Sequence, residues 1–243
     1  MAMDDRYLRQ TMLSQIGPDG QGRLRNASII VVGAGGLGSP ALTYLVTAGV
    51  GRVGLIDSDT VSLSNLNRQF LYGDRDIGRS KAISAKEKLM ALNGGVEIVA
   101  HEEPFTEGNA EALLAGYDLV LGAVDSFDTR FVINRASAAL RLPYIDGGVN
   151  GFNGCVMFSH TPESPCLNCV FPDRSAEKKP IGILGTTAGI IGVIEANLAL
   201  LWLLGNGSPI ENKLLLYDGL KMSIELIEIK RDIHCPVCGG GAI

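Results

Sequence analysis

The apolar positions follow two rhythms along the chain, and the change between them falls near Pro143. Before it, short β-branched runs alternate with segments in which apolar residues recur every three or four positions. "SIIVVGAGGLG" predicts a strand over 29–32 and a glycine turn, and "LGSPALTYLVTAGV" then predicts a helix. "RVGLID" gives a second strand ending at Asp57, which completes a βαβ unit. Further elements are expected as a helix near 81–92, a strand over 96–100 and a helix around 107–115. The strand "DLVLGAV" then runs up to Asp125, and a helix follows over 127–140. This alternation predicts a doubly wound, mostly parallel, Rossmann-like sheet for the first two thirds of the chain.

After Pro143, "YIDGGVNGFNGCVMFSH" and "NKLLLYDGLKMSIELIEIK" predict extended strands joined by glycine turns, hence a C-terminal antiparallel extension around one long helix. The chain is therefore expected to be a single domain, with a nucleotide-binding part over 1–145 and the extension over 146–243. Between its strands, "FPDRSAEKKPIGILG" (171–185) predicts a loop crossing over the core. The apolar stretch 181–204 is long enough to span a bilayer, but Glu195 and Asn197 in its middle make it a core helix instead.

Composition narrows the function classes. The 243 residues, 46% hydrophobic, are enough for one sizeable core. A formal charge of -5 offers no general attraction to nucleic acid or an anionic membrane, so a bound anion needs a local site. "MAMDDRYLRQTMLSQIG" lacks a signal-peptide core, and the expected compartment is the cytoplasm.

"GAGGLG", with Gly33, Gly35 and Gly36, satisfies the pattern that brings backbone close to a phosphate at a helix N-terminus. Asp57, 21 residues after Gly36, stands where a ribose-binding acid belongs. These features suit either a nicotinamide cofactor or ATP. The polar run "DSDTVSLSNLNRQF" separates the two. A dinucleotide pyrophosphate is served by the glycine turn, whereas a triphosphate needs further cations and donors, which Asn65, Arg68, Gln69 and Lys81 supply. Asp125, at the carboxyl edge of the sheet, suits Mg2+ shared with phosphate oxygens and also the N-cap of the following helix, two roles that are compatible.

"CLNC" (Cys166, Cys169) and "CPVC" (Cys235, Cys238) make two C-x-x-C pairs, the ligand set of a closed, structural Zn2+ site; the rival reading, redox pairs or disulfides, is disfavoured by a cytoplasmic setting. With 65 residues between the pairs, the metal would tie the C-terminal tail back to the middle of the chain. Cys155 reads as a core residue. His101, His160 and His234 are all remote in sequence from the phosphate-binding motifs, so no general base is indicated.

In this order, "YLRQ", "GAGGLG", "DSDTVSLSNLNRQF", "GRSKA", "AVDSFDTR", "CLNC", "GIIGVIEA" and "CPVC" give the chain a nearly end-to-end resemblance to the ThiF/MoeB/HesA family, bacterial relatives of ubiquitin-activating enzymes. The resemblance implies ATP-dependent adenylation of the C-terminal glycine of a ubiquitin-like sulfur-carrier protein ending in Gly-Gly, with release of pyrophosphate. It implies nucleotide contacts from Gly36 and Asp57, and a phosphate path lined by Ser64, Asn65, Arg68 and Gln69. Lys81 is to neutralise phosphate and Asp125 to hold Mg2+. It also implies a homodimer in which Arg9 reaches the neighbouring subunit's site. Some members carry a cysteine in the crossover loop; here Ile181 falls at about that position, so the reaction is expected to stop at the adenylate. Three other readings stay open: an NAD-dependent oxidoreductase, an enzyme adenylating another carboxylate, such as one on a modified tRNA base or a small peptide, and a zinc-stapled nucleotide-binding module without catalysis.

Overall fold

The computed structural model describes residues 5–172 and 182–239. The strands are β1 (Ser28–Val32), β2 (Arg52–Ile56), β3 (Glu97–His101), β4 (Leu119–Gly122), β5 (Tyr144–Asn150), β6 (Asn153–Ser159), β7 (Lys213–Asp218) and β8 (Ser223–Glu228). They form one eight-stranded sheet in the order β3-β2-β1-β4-β5-β6-β7-β8. The first five strands are parallel, and β6, β7 and β8 continue the same sheet antiparallel. β5 is the seam, parallel to β4 on one edge and antiparallel to β6 on the other.

The helices are α1 (Leu8–Thr11), α2 (Gly17–Asn26), α3 (Gly38–Ala48), α4 (Lys81–Leu92), α5 (Ala110–Leu114), α6 (Phe127–Ala139), α7 (Leu167–Val170) and α8 (Gly185–Leu203). Along β1, Ile29 and Val31 join the core shared with α2, α3, α4 and α8, while Ile30 and Val32 join the core shared with α5 and α6. Both faces are thus covered, which is why the central strands read as continuous apolar runs.

α8 is the helix whose length and composition alone would allow a membrane span. It packs against α3, β5 and β6, and Glu195 at its middle is fully buried. A Cβ on Gly192 would lie 2.3 Å from the Leu37 carbonyl oxygen, so only glycine lets α8 approach α3 this closely.

Two elements are shorter than their sequence pattern. α5 begins at Ala110 rather than 107, because the Asn109 side chain accepts from the Thr106 backbone N–H at 2.8 Å and holds 106–109 as a turn. β4 stops at Gly122, three residues before Asp125. α1 and α2, ahead of β1, carry no strong apolar period and are found only in the structure.

Candidate functional site

β1, β2 and β3 extend to one side of the sheet and β4 and β5 to the other, so a crevice opens between the carboxyl ends of β1 and β4. The glycine turn leaves β1 on one wall. Gly33 has φ +97, a left-handed conformation that a side chain disfavours, and a Cβ there would strike the Ala123 carbonyl oxygen at 2.5 Å. The residues just ahead of Asp125 therefore abut the turn directly.

Asp57 closes the second side. Its carboxylate accepts from the Ala34 N–H in the turn at 2.8 Å and from the Asp59 N–H at 2.9 Å. Burial raises its pKa above the ordinary aspartate value, against the lowering effect of the Ala34 N–H and the nearby Lys81 cation. Lys81 is itself buried at the start of α4, and its Nζ donates to Asp59 Oδ2 at 2.8 Å. It arrives there because 60–61 pair with 78–80, folding the "GRSKA" segment back onto the end of β2. Tyr72 fastens this wall by donating to the Ala34 carbonyl at 2.8 Å, with its oxygen also 3.3 Å from the Lys81 carbonyl.

The polar run forms the roof. Leu63–Asn65 is a single 3-10 turn in which Asn65 Oδ1 accepts from the Ser62 N–H at 3.0 Å, while Ser64 Oγ lies 3.0 Å from Ser62 Oγ. Ser64 and Asn65 thus shape the turn. Arg68 Nη1 donates to the Ser64 carbonyl at 2.9 Å and to Asn67 Oδ1 at 3.0 Å. Its aliphatic stem covers Gly36, whose missing Cβ would lie 3.5 Å from Arg68 Cγ and 3.2 Å from Ala188 Cβ of α8. Gln69 is buried over Gly35, with its Nε2 3.4 Å from where a Cβ would stand. Gln69 Oε1 is sealed from solvent and accepts no hydrogen bond among the described residues, which marks it as an acceptor waiting for a donor.

Asp125 stands on the far wall, exposed and without an ion pair among the described residues. The cap of α6 is Ser126, whose Oγ accepts from the Thr129 N–H at 3.1 Å, so the capping role open to Asp125 in the sequence is filled by its neighbour. A free carboxylate beside a glycine turn fits the ligand chemistry of Mg2+.

The structure therefore gathers Gly33, Gly35, Gly36, Asp57, Arg68, Gln69, Lys81 and Asp125 around one crevice. Arg9 is elsewhere. α1 sits at the opposite end of α3 from the glycine turn, where Gln10 donates to the Ala48 carbonyl at 3.0 Å and Tyr7 packs on Gly49. Asp59 and Tyr72 belong to the site and were not singled out by the sequence. The second acid of "DSD" was a signal for Asp59; nothing local signalled Tyr72, because its partners are backbone atoms of two other elements.

The four cysteines converge as well. Cys166, Cys169, Cys235 and Cys238 bring their Sγ atoms within 4.8 Å of one another. Individual separations are 3.9 Å (Cys166–Cys169), 3.6 Å (Cys166–Cys235) and 3.3 Å (Cys169–Cys238), close to the ~3.8 Å edge of a tetrahedron with 2.3 Å metal–sulfur bonds. Burial raises the thiols of Cys166 and Cys169, the latter to about 11, so four thiolates at this spacing need a cation. The cluster fits zinc and has no open position. It is tied to α6 through Asn134, which accepts from the Leu167 N–H at 2.9 Å and donates to Asn168 at 3.0 Å. Cys155 lies on β6, away from this cluster, and burial raises its thiol too.

Sheet order, glycine turn and crevice together define a doubly wound α/β protein of Rossmann type, extended by an antiparallel half and a four-cysteine cluster. The sequence pattern of the ThiF family matches residues 7–237, and the chain belongs to that family. It is 44% identical over 245 residues to the sulfur carrier protein adenylyltransferase of Thermus thermophilus, covering 97% of this chain and 90% of that protein. It is 36% identical over 244 residues to the SAMP-activating enzyme E1 of Haloferax volcanii, covering 98% of this chain and 90% of that protein. Among solved structures, E. coli MccB with ATP superimposes with a TM-score of 0.86 at 20% identity, covering 98% of this chain and 75% of that one, a likeness of fold.

Proposed function

We propose that this protein uses ATP to adenylate the C-terminal glycine carboxylate of a ubiquitin-like sulfur-carrier protein ending in Gly-Gly, releasing pyrophosphate. The observation that carries the reading is the convergence of Arg68, Lys81 and Asp125 on one glycine turn, in a chain 44% identical to a sulfur carrier protein adenylyltransferase. A nicotinamide cofactor would leave that charge arrangement without a purpose.

In this reading the glycine turn and the N-terminus of α3 hold phosphate, Asp57 holds the ribose, and Arg68 and Gln69 cover the phosphate tail with the turn built by Ser64 and Asn65. Lys81 exchanges its contact with Asp59 for a phosphate oxygen. Asp125 holds Mg2+, which would draw off charge from the phosphate oxygens. The carrier carboxylate attacks the α-phosphorus in line. A carboxyl–phosphorus bond forms, the bridging bond to the β-phosphate breaks, and its electron pair leaves with pyrophosphate. The nucleophile is already ionised, so no base is required, and catalysis is positioning plus charge stabilisation. Arg9 completes the site from the second subunit of a homodimer, and the four cysteines hold structural Zn2+.

Ile181 lies outside the described residues. With no cysteine at about that position, the reaction ends at the acyl-adenylate.

ATP–pyrophosphate exchange with a panel of Gly-Gly-terminated carriers tests the reading. Exchange is expected with one carrier, dependent on its terminal glycine, and reduced on the order of a hundredfold or more in Arg68→Ala, the usual scale for one lost charge-stabilising donor. Absence of exchange with every carrier, despite ATP binding, would remove the carrier as substrate.

A further inference from the structure

Arg130 lies in the first turn of α6 and is buried, and among the described residues its side-chain hydrogen bonds go to none of those so far placed around the crevice. Its guanidinium grips Asp146 of β5 with two hydrogen bonds, Nε to Oδ1 at 2.9 Å and Nη2 to Oδ2. Tyr144 donates its hydroxyl to the same carboxylate. The guanidinium carbon lies over the Phe127 ring, 4.4 Å from its centroid, with the Phe171 centroid at 5.9 Å. Gly148 leaves the room, since a Cβ there would stand 3.1 Å from Nη1.

Asp146 also stands in the sheet ladder opposite Gly122, the last residue of β4. One residue of β5 thus anchors both ends of the segment that carries Asp125. Its backbone holds the exit of β4, and its carboxylate, through Arg130, holds the entry of α6. Residues 123–129 lie between these two anchors, and of them only 123–126 belong to neither β4 nor α6. Burying an ion pair is a poor route to stability, because desolvation offsets most of the attraction. A geometric use explains it better.

We propose that Arg130, through Asp146, is a positioning residue that fixes the β4–α6 segment and so aims the Asp125 carboxylate at the divalent cation of the nucleotide complex. This rests on the Mg2+ role given to Asp125 above. Lysine at 130 keeps the charge but loses both the two-pronged grip and the stacking on Phe127.

The test is Mn2+ binding, read from loss of the free-ion EPR signal, in the presence of a non-hydrolysable ATP analogue. Three proteins are compared with wild type: Arg130→Lys; the double variant Arg130→Met with Asp146→Leu, which leaves no unpaired buried charge; and Asp125→Asn as the limit. Circular dichroism establishes that each is folded. The expected result is a Mn2+ dissociation constant raised on the order of tenfold in both Arg130 variants, the low end of what loss of an outer-shell support costs, with nucleotide affinity in the absence of metal unchanged. An unchanged Mn2+ constant in a folded variant would overturn the proposal. So would wild type that binds no Mn2+ beyond the analogue itself, and if such protein still catalysed exchange, the adenylation reading would stand without it.

Discussion

Glu195 shows how far one residue's surroundings can depart from its usual chemistry. Both carboxyl oxygens are buried without a hydrogen-bond partner among the described residues, and the group fills the notch left by Gly147 on β5. Burial raises its pKa well above the ordinary glutamate value; Asp146 across the strand adds to the rise, and Arg130 opposes it. The folded protein therefore keeps a proton that the unfolded chain releases. The stability this confers is fully present below the unfolded pKa and is lost as pH rises toward the folded one. Glu195→Gln removes that slope, at most about 1.4 kcal/mol per pH unit. Thermal melts of wild type and variant from pH 5 to pH 8 are expected to diverge, the variant gaining relative stability toward pH 8; parallel curves would show that Glu195 is ionised when folded. The acid was visible in the sequence as an interruption of an apolar run, but its neutrality depends on Gly147, 48 residues away in the chain.

At the scale of elements, the predictable parts were those with their own periodicity. β1, α3, β2, α4 and α6 lie within a residue or two of the spans read from the apolar pattern, because each is continuous in sequence and amphipathic or fully apolar. The four-cysteine cluster is different. Its ligands come from α7 and from a tail 65 residues further on, and spacing alone announced a metal tying the tail to the middle of the chain, without saying which element there receives it. In the structure it binds the 231–239 segment to α7, with Arg231 Nε donating to the Cys238 carbonyl at 2.9 Å. Removing the metal with a chelator is expected to free this tail first. Limited trypsin digestion should then cut after Lys230 or Arg231 at least several-fold faster than in untreated protein, before the sheet unfolds. Equal cleavage rates with and without chelator would mean the tail is held by other contacts.

At the scale of the molecule, Arg9 poses the sharpest question. It is exposed on α1, at the end of α3 away from the glycine turn, so within one chain it is remote from the crevice. The homodimer reading makes it a residue of the partner's site, and that can be tested by complementation. Arg9→Ala and Arg68→Ala variants are each expected to lose exchange activity. Mixed and allowed to exchange subunits, they should recover about a quarter of wild-type activity, since half the dimers are mixed and each carries one intact site. No recovery, with subunit exchange verified, would assign Arg9 to its own chain or to no site.

Contiguous runs of residues were enough for the doubly wound class, the antiparallel ending, the glycine turn, the strand-end acids and the cysteine pairs, because the spacing within each run has a direct physical meaning. The tertiary structure decided the rest. It joined both halves into one sheet through β5, gave the α6 cap to Ser126 and left Asp125 free. It paired Lys81 with Asp59, and it hid Arg130 against Asp146. These outcomes depend on which strands become neighbours and which backbone amides they leave unpaired, and no local window of residues contains that information.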